Sequence, residues 1–316
     1  MRRNFRKLNV LVTGGNGFIG SHLVHELVDL GAKVSCLVKP GSDIWRISGV
    51  KNKVNLLRYD ICDRKLKPVI KKINPDKVFH LASLAKPQRD ITLTEEMFRV
   101  NVNGTLNLMS ILKDLNCEAI VNTGTCEEYG DSKAPFKESD LPRPVSPYSA
   151  SKVSSTFYCQ MLYGSFRMPI VTLRPFLTYG PKQSGGLFIP SLIMAVLEAK
   201  DFEMTKGGQT REFNYVSDIV DGFLRAGSTM RAVGKIINIG CGDDYRIKDI
   251  AKKIISIIGV PVKLKVGKLP YREGEVKRFY CSNTLARKIL GWRPKVGLDD
   301  GLRRTIEWYR NRMYSD

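Results

Sequence analysis

Tyr148 and Lys152 stand four residues apart in Tyr148-Ser149-Ala150-Ser151-Lys152, near the start of a stretch that reads as a long helix over Pro147 to Phe166. That spacing puts both side chains on one helix face. An ammonium beside a phenol favours the phenolate and lowers the tyrosine pKa. Such a pair is suited to giving or taking a proton near neutral pH. A surface Tyr/Lys pair would show the same spacing. This one is preceded by Pro144-Val145-Ser146-Pro147 and lies one strand beyond the half-domain that opens the chain.

A second chemical stretch is Leu8 to Gly20, LNVLVTGGNGFIG. The apolar run Leu8 to Val12 predicts a buried strand. Gly14, Gly17 and Gly20 then follow at G-x-x-G-x-x-G spacing. A helix comes next, with Ile19, Leu23, Val24, Leu27 and Leu30 on one face and Gly31 as its stop. Strand, glycine turn and helix are how a doubly wound sheet binds a dinucleotide. Glycines let the backbone approach the pyrophosphate, and the helix N-terminus offers it free N–H groups. The cofactor implied is NAD(P)(H).

These residues need a scaffold, and the rest of the first half supplies one. Lys33 to Lys39, Val54 to Asp60, Val78 to Ala82, Ala119 to Thr123 and Ile170 to Leu173 read as further strands, with a helix over Glu95 to Leu115. Such alternation predicts an α/β fold, a Rossmann-type doubly wound parallel sheet with helices on both faces. The second strand should end at the adenosine ribose. An acid there suits NAD and a base suits the 2′-phosphate of NADP. Lys39 follows Val38, and the nearest acid is Asp43, a mild lean to NADP. Residues 1–175 are thus the expected dinucleotide-binding domain, which also carries the catalytic pair. Residues 176–316 are mainly a smaller α/β substrate lobe, with some segments returning to the large domain.

Thr13 to Gly20, T-G-G-x-G-F-I-G, resembles the extended short-chain dehydrogenase/reductases. The resemblance places cofactor contacts on Gly14, Asn16, Gly17, Phe18, Ile19 and Gly20. It adds Asp60-Ile61, similar to the family's adenine-holding D-[ILV] pair, and Leu81-Ala82-Ser83, where the family passes the nicotinamide ribose. Tyr148 and Lys152 complete that set. Asn101 to Thr105 resembles the family's N-V-x-G-T helix. Asn101 is either satisfied locally or a support of the active site. The family carries S-[ST]-x-x-x-Y-G at the end of the fifth strand. Counting back from Tyr129-Gly130, Thr125 takes the hydroxyl position that hydrogen-bonds the substrate oxygen. Gly124 replaces a common serine, and Cys126-Glu127 fill the next two places; Glu127 is a further catalytic candidate.

Leu173-Arg174-Pro175 with Tyr179-Gly180-Pro181, Arg211 to Asp218, and Leu290 to Pro294 match later motifs of the same family. There, Arg211 and Arg272 correspond to arginines that bind the diphosphate of a nucleotide sugar; the bland alternative for Arg211 is a surface ion pair with Glu212. The shared chemistry is hydride exchange at a sugar carbon, usually C4. Thr125-Cys126-Glu127 departs from the T-D-E of dTDP-glucose 4,6-dehydratases, while Glu127 keeps a GDP-mannose 4,6-dehydratase open. Cys126 lies one place off the cysteine of GDP-fucose synthases. GDP-6-deoxy-mannose reductases resemble this segment best, so the leading expectation is reduction of a 4-keto(-6-deoxy) nucleotide sugar. UDP-galactose 4-epimerase chemistry is the alternative, although Leu177 stands where their R-x-F-N has asparagine; 4,6-dehydration comes next. Outside this class stands a catalytically silent dinucleotide-binding scaffold, against which the intact Tyr148/Lys152 pair argues.

Composition narrows the remaining classes. Hydrophobic residues make up 43% of the 316-residue chain and charged residues 26%, values of a soluble globular protein. No apolar run approaches a membrane span, and the run after the basic N-terminus is too short for a signal peptide. Seven cysteines without a C-x-x-C pair argue against a disulfide framework or a metal site and for a reducing, cytoplasmic setting. None of His22, His25 and His80 is assigned a catalytic role. The formal charge of +20 raises nucleic-acid binding, but the basic residues are spread along the chain and no recognition motif accompanies them. A positive cleft suits a diphosphate instead. The helices around Met97 to Leu115 and Pro147 to Phe166 carry apolar residues broadly, including Phe157 and Tyr158. Similar enzymes pair these helices into a four-helix homodimer interface.

Overall fold

The computed structural model describes residues 5–86, 88–271 and 274–313. Its first half comprises β1 (Asn9–Thr13), α1 (Phe18–Asp29), β2 (Lys33–Val38), β3 (Val54–Arg58), α2 (Leu66–Ile73), β4 (Lys77–His80), α3 (Thr94–Met97), α4 (Gly104–Leu112), β5 (Ala119–Thr123), α5 (Pro147–Phe166) and β6 (Ile170–Pro175). Shorter elements follow: β7 (Thr178–Tyr179), α6 (Phe188–Leu197), β8 (Phe202–Met204), β9 (Thr210–Arg211), β10 (Asn214–Tyr215) and α7 (Val216–Ala226). The chain closes through β11 (Ile236–Ile239), β12 (Tyr245–Arg246), α8 (Ile247–Ile258), β13 (Leu264–Val266), β14 (Arg278–Phe279), α9 (Thr284–Leu290) and α10 (Leu298–Met313).

Seven strands form one sheet in the order β11-β6-β5-β4-β1-β2-β3, and each neighbouring pair runs parallel. Apolar side chains alternate to opposite faces along each strand. Val10 and Val12 of β1 pack with Leu23 and Leu27 of α1 and Phe223 of α7 on one face. Leu11 points the other way, into a second layer with Ile70 of α2 and Leu108 and Leu112 of α4. Strand order reverses between β1 and β4, which opens a crevice at the carboxyl edge of the sheet.

β11 comes from the second half of the chain and completes the large sheet, Ile236 pairing with Thr172 of β6. Helices α6, α8 and α10 build a separate core around Leu192, Ile193, Ile254 and Leu302, whereas α7 and α9 pack with the large sheet. A small sheet, β12-β9-β14, carries Arg211 at its centre. A further cluster is aromatic, packing Tyr129, Phe136, Phe176 and Phe279 together.

The helix expected over Glu95 to Leu115 is interrupted. Residues Phe98–Asn103 form a π-helical turn between α3 and α4. Periodicity could not show this, because a π turn inserts one residue without altering composition. α5 starts as expected: Ser146 caps it by accepting the Ser149 N–H at 3.1 Å, and Pro147 holds the first position. Among the described residues no helix is long and apolar enough to cross a membrane.

Candidate active site

The glycine turn is shaped for close approach. Gly14 has φ +69°, and a Cβ there would lie 2.7 Å from the Ala82 nitrogen. A Cβ on Gly20 would meet the Gly14 carbonyl oxygen at 2.3 Å. Gly17 is the N-cap of α1 and supplies no side-chain cap, so the first N–H groups of the helix, from Phe18 and Ile19 onward, have no side-chain acceptor at that cap. Next to the turn is a cavity of about 190 Å³, lined by Gly14, Asn16, Lys39, Asp60, Ile61 and Ser83 among others. Seven residues selected from separate places in the sequence, Ala82 included, thus meet around one space. Leu81 lies behind it, its N–H bonded to the Thr13 carbonyl at 3.1 Å.

Local bonds hold this rim in place. The Asn16 amide donates to Ser42 Oγ (3.0 Å) and to the Asp43 carbonyl (2.9 Å), closing the loop after β2. Asp60 accepts the Cys62 N–H at 2.9 Å and pairs with Arg99 at 3.3 Å. Burial pushes the Asp60 carboxyl up, but those partners outweigh it and leave it below the usual carboxylate range. Asn101, in the π turn, accepts from Ser83 Oγ (3.0 Å) and Leu84 N (2.8 Å) and donates to Ser151 Oγ (2.9 Å). It ties the loop after β4 to α5, which makes it a support of the site. His80 sits between Thr13 Oγ1 (2.7 Å) and Thr105 Oγ1 (2.9 Å); burial holds it neutral, with a pKa of about 3.

At the carboxyl end of β5 the chain turns through a short 3-10 helix, Cys126–Tyr129, capped by Thr125. The Thr125 hydroxyl accepts the Glu127 N–H at 3.3 Å and lies close to the Tyr148 phenol. Thr125 and Tyr148 are thus neighbours at the carboxyl end of β5, and Lys152 lies near Glu128 and His80. One expectation changes here. Burial pushes the Tyr148 phenol above its ordinary value; the Thr125 hydroxyl opposes this, and Cys126, Glu127 and Glu128 add to the rise. Burial lowers the Lys152 ammonium, and the nearby charge opposing that effect is Glu128. Spacing along the helix puts Tyr148 and Lys152 one turn apart on α5, but it carries no account of what burial does to either.

In the substrate lobe, Arg211 does not pair with Glu212. Its guanidinium bonds Glu275 and the carbonyls of Thr210 (2.7 Å) and Val276 (2.8 Å), and lies 5.6 Å from the Phe279 ring centroid. Glu212 points the other way, to the N–H groups of Gly242 (3.1 Å) and Cys281 (3.2 Å). Arg272 lies outside the described residues. Sequence reasoning passed over three partners: Glu275, Arg99 and the buried pair Glu128–Arg174. Only the last left a signal, since an arginine ending a buried apolar strand needs a carboxylate.

Comparison with known proteins fits this geometry. The GDP-mannose 4,6 dehydratase family matches residues 11–305. The UDP-glucose 4-epimerase of Mycolicibacterium smegmatis is 31% identical, over 96% of this chain and 99% of its own. The human dTDP-D-glucose 4,6-dehydratase is 30% identical, over 97% and 91%. Among solved structures, the epimerase Mth375 of Methanothermobacter thermautotrophicus superposes with a TM-score of 0.92 at 30% identity, covering 99% of this chain and 95% of that one. The UDP-glucuronic acid 4-epimerase of Bacillus cereus, solved with UDP-glucuronic acid and NAD, gives 0.87 at 28% identity, covering 96% and 99%. These proteins are epimerases and dehydratases, and they lend no support to the closer reductase resemblance expected from residues 125–130. The chain belongs to the extended short-chain dehydrogenase/reductase family of nucleotide-sugar epimerases and dehydratases.

Proposed function

We propose that this protein is a nucleotide-sugar 4-epimerase acting on a UDP-sugar. What supports the reading is Thr125 next to Tyr148, with Lys152 near His80, which bonds Thr13 at the start of the glycine turn, in a chain aligned almost end to end with a UDP-glucose 4-epimerase. Cys126, where dTDP-glucose dehydratases have an acid, favours epimerisation over dehydration. In this reading, Tyr148 takes the proton of the sugar C4 hydroxyl while Thr125 holds the oxygen. A nicotinamide cofactor, when bound, would supply the reversible hydride acceptor for this exchange. After the sugar has turned its other face, Tyr148 returns the proton. Arg211 takes the diphosphate, and Arg272 is the second cation that the family resemblance assigns to it.

The dinucleotide fits residues 1–175, with its pyrophosphate on the uncapped start of α1 and its adenosine toward Asp60 and Ile61. Val38-Lys39 offers no acid to a ribose hydroxyl, so we assign a preference for NADP over NAD. Residues 176–316 mainly bind the nucleotide sugar. We also assign a homodimer, because Phe98, Phe157, Tyr158 and Met161 are exposed on the π turn and α5.

Incubation with UDP-glucose or UDP-galactose and catalytic NAD or NADP tests the activity. Interconversion at C4 without net cofactor turnover is expected. Stoichiometric oxidation of NADPH by a 4-keto sugar would instead restore the reductase. Equal binding of NAD and NADP would remove the cofactor preference, and sedimentation as a monomer at micromolar concentration would remove the dimer.

A further inference from the structure

Directly beneath the candidate site lies a fully buried ion pair. Glu128 and Arg174 are 0% and 1% exposed, with Glu128 Oε2 accepting from Arg174 Nε (3.0 Å) and Nη2 (2.8 Å). The other carboxylate oxygen accepts from the Thr125 N–H (2.9 Å) and from Thr156 Oγ1 (3.1 Å). One side chain therefore joins three elements. It closes the capping box that shapes the turn after β5. It reaches α5 at Thr156, one turn past Lys152 on the same face. It reaches β6 through Arg174, whose guanidinium carbon lies 4.6 Å from the Tyr129 ring centroid. Tyr129 is anchored in turn by its hydroxyl, which donates to Asn238 Oδ1 at 2.7 Å.

The same pair explains the glycine that departs from the family pattern. A Cβ at Gly124 would lie 2.5 Å from Glu128 Oε1 and 3.1 Å from the Leu173 carbonyl. The Glu128 carboxylate fills the space a serine would need, so Gly124 and Glu128 are one feature of this chain.

We propose that Glu128 is a positioning residue: tied to Arg174, it fixes Thr125 beside Tyr148 and sets the charge around the Tyr148/Lys152 pair. The proposal deepens the epimerase reading and rests on Tyr148 as its acid and base. The charged and titratable groups around the pair come from four elements. They are Cys126, Glu127 and Glu128 on the turn, Cys159 on α5 itself, His80 on β4, and Arg174 on β6. Burial holds His80 neutral and keeps the Cys126 and Cys159 thiols protonated. That leaves Glu127 and the Glu128–Arg174 pair as the charges that matter. Cancelling the Glu128 charge favours both the phenolate and the neutral amine. Cancelling the Arg174 charge disfavours both.

Opposite signs make the test. Glu128→Gln should move both limbs of the kcat/KM profile for the turned-over UDP-sugar down by about one pH unit, and Arg174→Gln should move them up by about as much. The double variant, with neither charge, should return them close to wild type, and Arg174→Lys should leave them in place. These last two guard against variants that fail to fold, since losing one partner of a buried pair leaves the other uncompensated. The Tyr148 phenol can also be followed without substrate, by 13C-tyrosine NMR of the NAD(P)-loaded protein, assigned through Tyr148→Phe. Its titration should move in the same opposite directions. Limbs or midpoints that stay put, or that move the same way in both single variants, would overturn the proposal. A Tyr148 that titrates as described in a protein that turns over no nucleotide sugar would sink the epimerase reading and leave this one standing.

Discussion

Two glutamates, Glu128 on the catalytic turn and Glu212 in the substrate lobe, are both completely buried, yet they are held in opposite ways. Glu128 faces a guanidinium. Glu212 accepts from two backbone N–H groups, from the Asn214 amide at 3.3 Å and from the Cys281 thiol, and none of these partners is a cation. Burial consequently lifts the Glu212 carboxyl to about 7, although its hydrogen bonds work against the rise. The contrast separates the two halves of the site. Beneath the reacting groups, charge is cancelled and geometry is fixed by an ion pair. At the seam that carries Arg211, three backbone segments meet on a group whose charge changes near neutral pH. Chemistry should therefore fail with changes on the first side, and substrate affinity or stability with changes on the second.

The largest effect belongs to the catalytic side. Tyr148→Phe removes the acid and keeps the ring, so kcat should fall by roughly 10²–10⁴-fold while KM and cofactor binding hardly change. Wild-type turnover in that variant would end the assignment of Tyr148, and with it the distinction between the two sides.

Glu212 tests the other side through stability. Its folded pKa of about 7 lies above the ordinary 4.5, so the folded protein binds the proton more tightly than the unfolded chain does. The stabilisation that follows is fully present below the unfolded value and is lost as pH rises through the folded one. Between about pH 4.5 and 7.5, wild type should lose roughly 3 kcal/mol relative to Glu212→Gln, which cannot ionise. Denaturant unfolding of both proteins across that window would show it. A constant difference would mean that Glu212 is ionised throughout, like a paired carboxylate.

Arg211→Ala should come next. Loss of a charge-assisted contact to a diphosphate costs about 1.5–3 kcal/mol, or roughly 10–150-fold in KM, with kcat nearly unchanged. A fall in kcat alone would place Arg211 on the catalytic side and blur the division.

How much of this was legible differs along the same line. Strands, glycine turn and the Tyr148/Lys152 spacing are local patterns, and β1, β2, β5 and α5 fall within about a residue of their expected ends, except β6, which runs on to Pro175. Gly14 and Lys39 were legible from the strand, turn and helix pattern, and Asn16, Asp60 and Ser83 from the family resemblance; all five line one cavity because βα loops of a parallel sheet open at one edge. What escaped is pairwise and long-range. Glu128 and Arg174 are 46 residues apart, and Arg211 and Glu275 are 64 apart. Arg174, ending a buried apolar strand, signals that it needs a carboxylate, but nothing local says that Glu128 is the one, and Arg211 and Glu275 look like ordinary solvated charges. The π turn escaped for another reason: Phe98 to Asn103 keeps a helical composition, and only the hydrogen bonds differ.

Glu127 gives the smallest effect and the sharpest reading of the catalytic turn. It adjoins Glu128 in sequence, but it is half-buried and near enough to raise the Tyr148 phenol, whereas Glu128 is sealed beneath it. Water loss from a sugar needs a second proton carrier at C5 and C6 besides the tyrosine, and Glu127 is the half-buried carboxylate of this turn. Epimerisation needs only the proton that Tyr148 takes and returns. Glu127→Gln keeps size and polarity while removing that carrier, so an epimerase should keep its turnover within about threefold, helped slightly by the loss of a negative charge beside the phenol. A wild-type protein that forms a 4-keto-6-deoxy product, and loses that activity a hundredfold or more in Glu127→Gln, would be a dehydratase. In that case the proton traffic of this site would run through two groups on the turn and helix, with Glu128 and Arg174 supporting both.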